Sequence, residues 1–325
     1  MTDDDRNPVL RILERGDRMQ RRHASAAFVV GVFKKFGEDR AGRLAALIAY
    51  YSFFSVFPLL LVLVTTLGFV FGDDATVREE IAGSALAQIP VVGNSLQTGS
   101  LEGNGIGLAV GIVGALWAGL GAMLAGQDAM NAVWDVPIRE RPNPLYSRVR
   151  ALLMLGVLGM QLIGATVLSA IGPELPGLNG IAKFGIALGT IALNTFVVGL
   201  AFQVLTDRRL SVAQIWPGAV FAGVGYFVLQ TLSTRLVAQR ISTAGEVYGT
   251  FASVIGLLTY FYLLAQVTVL AAVVNVVRDR RLYPRSLLGD DHTEADRRAQ
   301  LAYAREAKRS DAINIEIRPS AHAER

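Results

Sequence analysis

The chain has 325 residues, no cysteine, 52% hydrophobic residues and 18% charged ones, with a formal net charge of +4. Soluble domains carry about 25% charge, so this balance points to a membrane rather than to water. The lack of cysteine excludes disulfides, thiolate metal sites and thiol nucleophiles, and the basic residues sit in two tails and two short loops, a pattern of membrane orientation rather than nucleic-acid binding.

Residues 1–23 read as a polar tail with no cleavable signal peptide, because the first apolar block starts too far into the chain. Residues 24–40 place Phe28, Val29, Val32, Phe33 and Phe36 on one helical face, opposite Lys34, Lys35 and Asp39. That spacing suits two situations, an amphipathic helix lying in the headgroup layer or one packed on the protein.

Six stretches are apolar and long enough to cross a hydrocarbon core, which needs about 20 helical residues. They are 44–71, 106–125, 151–171, 181–205, 215–236 and 251–277. None holds Asp or Glu, and Lys183 and Arg235 lie near ends, where long side chains snorkel. No block alternates as a barrel strand would. The expected fold is therefore all-α, a polytopic bundle of six transmembrane helices preceded by the amphipathic helix. Its parts are a polar tail (1–23), a membrane domain (24–280) and a charged tail (281–325).

Lys and Arg counts set the orientation. The tail to Arg43 holds ten and the tail from Arg278 eleven; the second connection holds Arg139, Arg141, Arg148 and Arg150, and the fourth Arg208 and Arg209. The odd connections are poor in basic residues, so both termini are expected in the cytoplasm.

Within the first span, Pro58 lacks an N–H and should kink the helix near Ser55. The outer loop 72–105 has Val77, Ile81, Leu86 and Ile89 near helical spacing and should form a short external helix. Gly107, Gly111, Ala115 and Gly119 recur every four residues along the second span, a smooth stripe for close helix packing. At that span's end, Asp128 and Asn131 share a helical face with Gln127 nearby, and Trp134 is placed to anchor at an interface. These four side chains either line a cytoplasmic entrance or fix the helix–loop junction beside Arg139 and Arg141. Deeper in the membrane, Gln161, Asn194, Gln203, Gln230 and Gln266 need partners in hydrocarbon, as interhelical hydrogen bonds or as a polar lining. Residues 290–309, rich in alanine and charge, read as a solvated helix or disorder.

Enzyme signatures are scarce. His23, His292 and His322 all lie in tails, and there is no nucleophile elbow, Walker loop or zinc-ligand pair. Gly103, Gly105 and Gly107 mimic a phosphate loop but open a membrane span. No catalytic residue, metal site or cofactor is expected.

The stretch Ala49-Tyr50-Tyr51-Ser52-Phe53-Phe54-Ser55-Val56-Phe57-Pro58-Leu59-Leu60 resembles the first-span signature of the YihY/BrkB family of bacterial inner-membrane proteins. Gln127–Trp134 resembles that family's element after the second span, and Tyr248-Gly249-Thr250-Phe251 with the last span to Asn275 resembles its closing segment. Within the family the chain looks most like the YhjD-type branch. One departure stands out: where the family often has Gly-Ala-Glu-x-Asn, this chain has Ala271-Ala272-Val273-Val274-Asn275, with Val273 at the glutamate position. The resemblance implies an inner-membrane location and a role in envelope biogenesis, for which lipid or lipopolysaccharide export has been suggested. An older ribonuclease label for the family finds no support in these residues. The expected partners are membrane lipids, another copy of the chain or envelope-synthesis proteins, and no nucleic acid. Two functions are consistent with this: a flippase-like transporter of an amphiphilic envelope component, or a non-transporting scaffold for envelope synthesis.

Overall fold

The structure, a computed structural model, describes residues 16–18, 20, 22–71, 105–171, 180–287 and 293–307, and for 60–71, 105–108, 162–171, 180–183 and 234–253 it describes the helical backbone only. The described residues are helical, with no strand. In chain order the helices are α1 (Ala24–Glu38), α2 (Ala41–Phe71), α3 (Gly105–Val133), α4 (Pro144–Ile171), α5 (Gly180–Leu205), α6 (Val212–Asp279) and α7 (Glu294–Glu306), with a 3-10 turn at Ile138–Glu140. The expected external helix at 72–105 lies outside the described residues.

Five stretches are long and apolar enough to cross a membrane: Ala41–Leu59, Ala109–Val133, Phe184–Leu205, Val212–Ser233 and Val254–Asp279. The stretch expected as the third span falls on α4, a 28-residue helix whose side chains are described only to Gln161. Leu153, Met160, Trp117, Val113, Phe184 and Phe196 are exposed on the outside of the bundle, which is how a helix bundle facing lipid differs from one facing water.

Successive helices run antiparallel, and glycines set how closely they approach. Along α2 and α3, Tyr51 lies against Gly121 and Pro58 against Gly114. A Cβ at Gly121 would sit 2.5 Å from the Tyr51 ring, and one at Gly114 would sit 3.1 Å from the Pro58 ring. The family-signature residues Tyr51 and Pro58 therefore dock into glycine notches on α3. Tyr50 points outward and is 53% exposed, and Ser55 turns its hydroxyl back to the Ser52 carbonyl, 2.7 Å away. The helix assignment runs unbroken through Pro58.

The small-residue stripe of α3 serves the next contact. Gly111, Ala115 and Gly119 are buried, and a Cβ at Gly119 would come within 2.9 Å of Leu155 on α4. The surroundings of Gly107 lie outside the described residues. Between α5 and α6, Thr195 sits against Gly223 and Gly199 against Ala219.

α6 runs over 68 residues, which as a straight rod would be about 100 Å long. Its ends nevertheless lie side by side. Gln214 bonds Asp279, Gly218 and Ile215 meet Asn275, Gly225 meets Val267, and Tyr226 bonds Thr268. The spans Val212–Ser233 and Val254–Asp279 are thus antiparallel neighbours.

α1 packs on the bundle through Ala27, Gly31, Val32 and Lys35 and leaves Val29 and Phe33 exposed. A Cβ at Gly31 would lie 2.7 Å from the Leu282 carbonyl oxygen, so only glycine admits that backbone. Two expectations change here. Lys35, assigned to the polar face, is 1% exposed and faces the protein. The charged tail also forms a docked helix, α7, that buries Ala295, Asp296 and Ala299, because alanines let its backbone approach while one buried carboxylate finds several donors.

Candidate functional site

Every span begins or ends in a common layer, the basic end of the bundle, and three polar clusters occupy it. The first joins α3, α4 and α5. Asn131, 2% exposed, donates to Asp207 Oδ2 at 2.7 Å and accepts from the Asp207 N–H at 2.8 Å. Arg150 bonds Asp207 and the Val204 and Thr206 carbonyls, so its guanidinium closes the C-terminal end of α5, where carbonyls are left without helical partners. Gln127 donates to the Ser147 carbonyl at 2.8 Å, tying α3 to α4. Because the two Nη atoms of a rigid planar fork serve acceptors on different sides, which a single ammonium nitrogen does not span, Arg150→Lys is expected to cost about 2 kcal/mol, read as a lower unfolding midpoint in micelles.

The second cluster is buried. α3 ends with Asp135 in a left-handed conformation (φ 48°), and the Val136 N–H reaches back to the Asn131 carbonyl. α6 ends in the same way at Arg281 (φ 51°), with the Leu282 N–H reaching the Val277 carbonyl. Aspartate tolerates this conformation better than most residues. The turn aims the Asp135 carboxylate at Lys35, 3.2 Å from Nζ, and at Arg280. Lys35 also pairs with Asp39 at 3.0 Å and lies under the Tyr303 ring, 5.0 Å from its centroid. Burial, opposed by Lys35 and reinforced by Asp135, pushes the Asp39 carboxyl up to about 7.

The third cluster holds α7 in place. Asp296 accepts from Lys34 Nζ (2.9 Å), Arg285 Nε (2.5 Å), the Ser286 N–H (2.9 Å) and the Thr293 hydroxyl. Burial alone would raise this carboxyl, but those donors hold it down at about 2. Arg285 also grips both oxygens of Glu38, at 2.8 and 2.9 Å, and Tyr303 donates to Glu38 at 2.9 Å.

The residues singled out from the sequence are distributed as follows. Gln127 and Asn131 are buried in the first cluster, whereas the Asp128 side chain is 72% exposed and faces Arg141 at 3.7 Å. Trp134, expected at an interface with its N–H in water, is instead fully buried. Its Nε1 lacks a partner among the described residues, its carbonyl accepts from Arg280, and Arg208 lies over its ring. The indole is covered because it joins the buried core, with Arg208 from the connection after α5 closing over it. In the membrane, Gln161 donates to Asn194 at 2.8 Å, bringing two of the five amides together. Gln230 and Gln266 are half-buried, and Gln203 is exposed near the basic end. Val273 is fully buried among apolar neighbours, and Asn275 bonds Gly218 and Ile215.

Sequence reasoning missed the second and third clusters. Their partners are 100, 145 and 262 residues apart, and no local periodicity links such positions. The one available signal was the lone acidic residue Asp135 directly after a helix end. Among the described residues, no group of three or more His, Asp or Glu could hold a metal ion.

Comparison with known proteins places this architecture. Similar chains include the putative ribonuclease-like protein YfkH of Bacillus subtilis, 24% identical over 78% of this chain and 96% of that protein. The inner membrane protein YhjD of Escherichia coli is 22% identical over 76% of this chain and 79% of its own length. The UPF0761 membrane protein RSc1559 of Ralstonia nicotianae is 28% identical over 78% of this chain and 60% of its own. No solved structure matches. The profile described as Virulence factor BrkB matches residues 32–295, taking in all the helices from α2 to α6 and the first two clusters at the basic end apart from Tyr303, and stopping just short of Asp296. The chain is an integral membrane protein of the BrkB family.

Proposed function

We propose that this protein crosses the inner membrane six times, with both ends in the cytoplasm and α1 in the headgroup layer, and moves an amphiphilic envelope component of the lipid or lipopolysaccharide type between leaflets. One observation carries the reading. Gln161 pairs with Asn194, Thr195 sits against Gly223, and Tyr226 pairs with Thr268, one polar layer crossing α4, α5 and both spans of α6. Each residue lies 10–14 positions, or roughly 15–21 Å, from the basic end of its helix, counted on α4 from Arg150 of the first cluster. That is the middle of a hydrocarbon core about 30 Å thick, where an uncharged polar group singly serves helix packing, but a layer of them across four spans offers a headgroup a polar path. The basic end supports the cytoplasmic orientation, and the exposed Val29 and Phe33 support the place of α1. With no nucleotide-binding motif in the sequence, movement would be passive, gradient-coupled or driven by a partner.

The test is movement of a fluorescent phospholipid in vesicles containing the purified chain. Gln161→Leu combined with Asn194→Leu is expected to abolish it, because leucines remove the polar step at mid-depth without changing volume greatly. Gln203→Leu, at the exposed basic end, is expected to leave it unchanged. If the unmodified protein moves no lipid, and deletion of the tail from residue 281 removes its cellular role, the scaffold function holds instead.

A further inference from the structure

α7 covers the basic end of the bundle through an attachment unlike the rest of the fold. It buries only Ala295, Asp296 and Ala299, and Leu301 is 39% exposed. Apart from the Tyr303 ring, which packs at the edge of the core, its other ties are polar: Asp296 to Lys34 and Arg285, Tyr303 to Glu38, and Glu306 to Arg141 at 3.7 Å. Small polar contacts of this kind join parts that move relative to one another, whereas bundle cores are joined by apolar ones. Beneath α7 lie Lys35, Asp39 and Asp135, whose side chains are 1–2% exposed. Withdrawing two carboxylates and an ammonium from water is rarely repaid by their pairing, so lifting α7 would relieve that cost by wetting all three.

We propose that α7 is a releasable lid over the basic end, latched by Asp296, Tyr303 and Glu306, and that proton uptake by Asp39 sets how tightly it closes. The charged and titratable groups around Asp39 are Lys35 on the preceding helix, Asp135 beyond α3 and Tyr303 of the lid itself. Arg280 and Glu306 act one step further away, through Asp135. With the lid closed, an ionised Asp39 shares one ammonium with Asp135 and loses its water. Protonation removes that penalty, so acid favours the closed state.

The direction follows from the shift. The Asp39 carboxyl is raised to about 7 when covered, against about 4 in water. Its contribution to closure is therefore complete below about pH 4 and is lost as pH rises towards 7. Asp296 has the opposite sign: held at about 2, it supports closure above about pH 4 and fails only in stronger acid. Between pH 6 and 8 Asp296 stays ionised, burial raises the Glu306 carboxyl in the same direction as Asp39, and the Asp39 contribution by itself should raise the open fraction about tenfold.

The chain has no native cysteine, so a single introduced thiol reports on the lid. Ala299→Cys lies on the buried face of α7 and Leu301→Cys on its exposed face. The measurement is the rate of N-ethylmaleimide alkylation of each in the full chain in lipid nanodiscs. Their ratio at each pH cancels the intrinsic reactivity of the thiol. The ratio for Ala299→Cys is expected to be low at pH 6 and about tenfold higher at pH 8. Adding Asp39→Asn should keep it low at both, and adding Asp296→Ala should bring it near one at both. A ratio that ignores pH overturns the proposal, as does one near one at pH 6, or continued protection in the Asp296→Ala chain. If Asp39→Asn does not fold, the pH profile of the parent chain decides.

Discussion

Gly218→Ala is expected to lower the stability of the bundle by about 3–6 kcal/mol, a large effect for the addition of one methyl group. A Cβ at Gly218 would lie 2.2 Å from the Ala271 carbonyl oxygen and 2.5 Å from the Asn275 amide nitrogen. The first neighbour is backbone and cannot rotate away, so the two spans of α6 must separate. Separation breaks the Asn275 bridge, in which the amide oxygen accepts from the Gly218 N–H at 2.7 Å and the amide nitrogen donates to the Ile215 carbonyl at 3.0 Å. Losing the two hydrogen bonds of this bridge costs about 2–3 kcal/mol, and overpacking adds about 1–3 kcal/mol. Gly156→Ala on α4 is the control, since nothing lies within 4 Å of a Cβ there. It is expected to stabilise by about 0.5–1 kcal/mol, the ordinary helical preference for alanine. The two substitutions are chemically identical, and their unfolding midpoints in micelles should move in opposite directions. Asn275→Leu should reproduce much of the Gly218→Ala loss, because it removes the same two hydrogen bonds.

Asn275 also shows where the sequence was legible and where it was not. The spans themselves could be read from hydropathy, because each apolar run is local and its length is set by the bilayer. Five of those runs coincide with apolar helices, and the fourth and sixth begin or end within a few residues of where they were expected. The close packing on α3 was legible too, since a stripe of small residues at four-residue spacing lies in one stretch of chain. Yet the stripe did not tell its partner: Gly119 meets Leu155 on α4, while Gly114 and Gly121, off the stripe, receive Pro58 and Tyr51 from α2. Partner choice depends on which helices are neighbours, and that is decided by the whole bundle. The glycine at 218 gave no such warning, because the atom it accommodates belongs to residue 271.

The candidate site divides along the same line. Gln161 and Asn194 were marked because an amide in hydrocarbon demands a partner, and each proves to be the other's. Trp134 was misplaced for a related reason. An amphipathic ring near a span end ordinarily faces the headgroups, but here the ring joins the core and Arg208, from the connection after α5, lies over it. The ion clusters join residues from both ends of the chain, and charge counts treat every lysine alike. Lys34 and Lys35 were given one role by their position on a helical face, and packing separates them.

Substituting these two lysines is expected to give very different results. Lys35→Met should destabilise the protein by about 3–5 kcal/mol at pH 8, because it leaves Asp39 and Asp135 facing each other without their shared cation in a site 1–2% exposed. Lys34→Met removes a partner that is 25% exposed from Asp296, which keeps Arg285, Ser286 and Thr293. The loss there should be about 1 kcal/mol or less. The two variants also separate by pH. Without Lys35 only the Tyr303 hydroxyl still opposes the burial of Asp39, so its carboxyl rises further and the stability lost between pH 5 and 8 should grow relative to the parent chain. Lys34→Met should leave the slope in that window unchanged, because Asp296 stays ionised throughout it. Unfolding midpoints of the three chains across pH 5–8 make the comparison. Equal losses for the two lysines would mean that water reaches Lys35, and the buried cluster would then not be the feature that joins α1, α3 and α6.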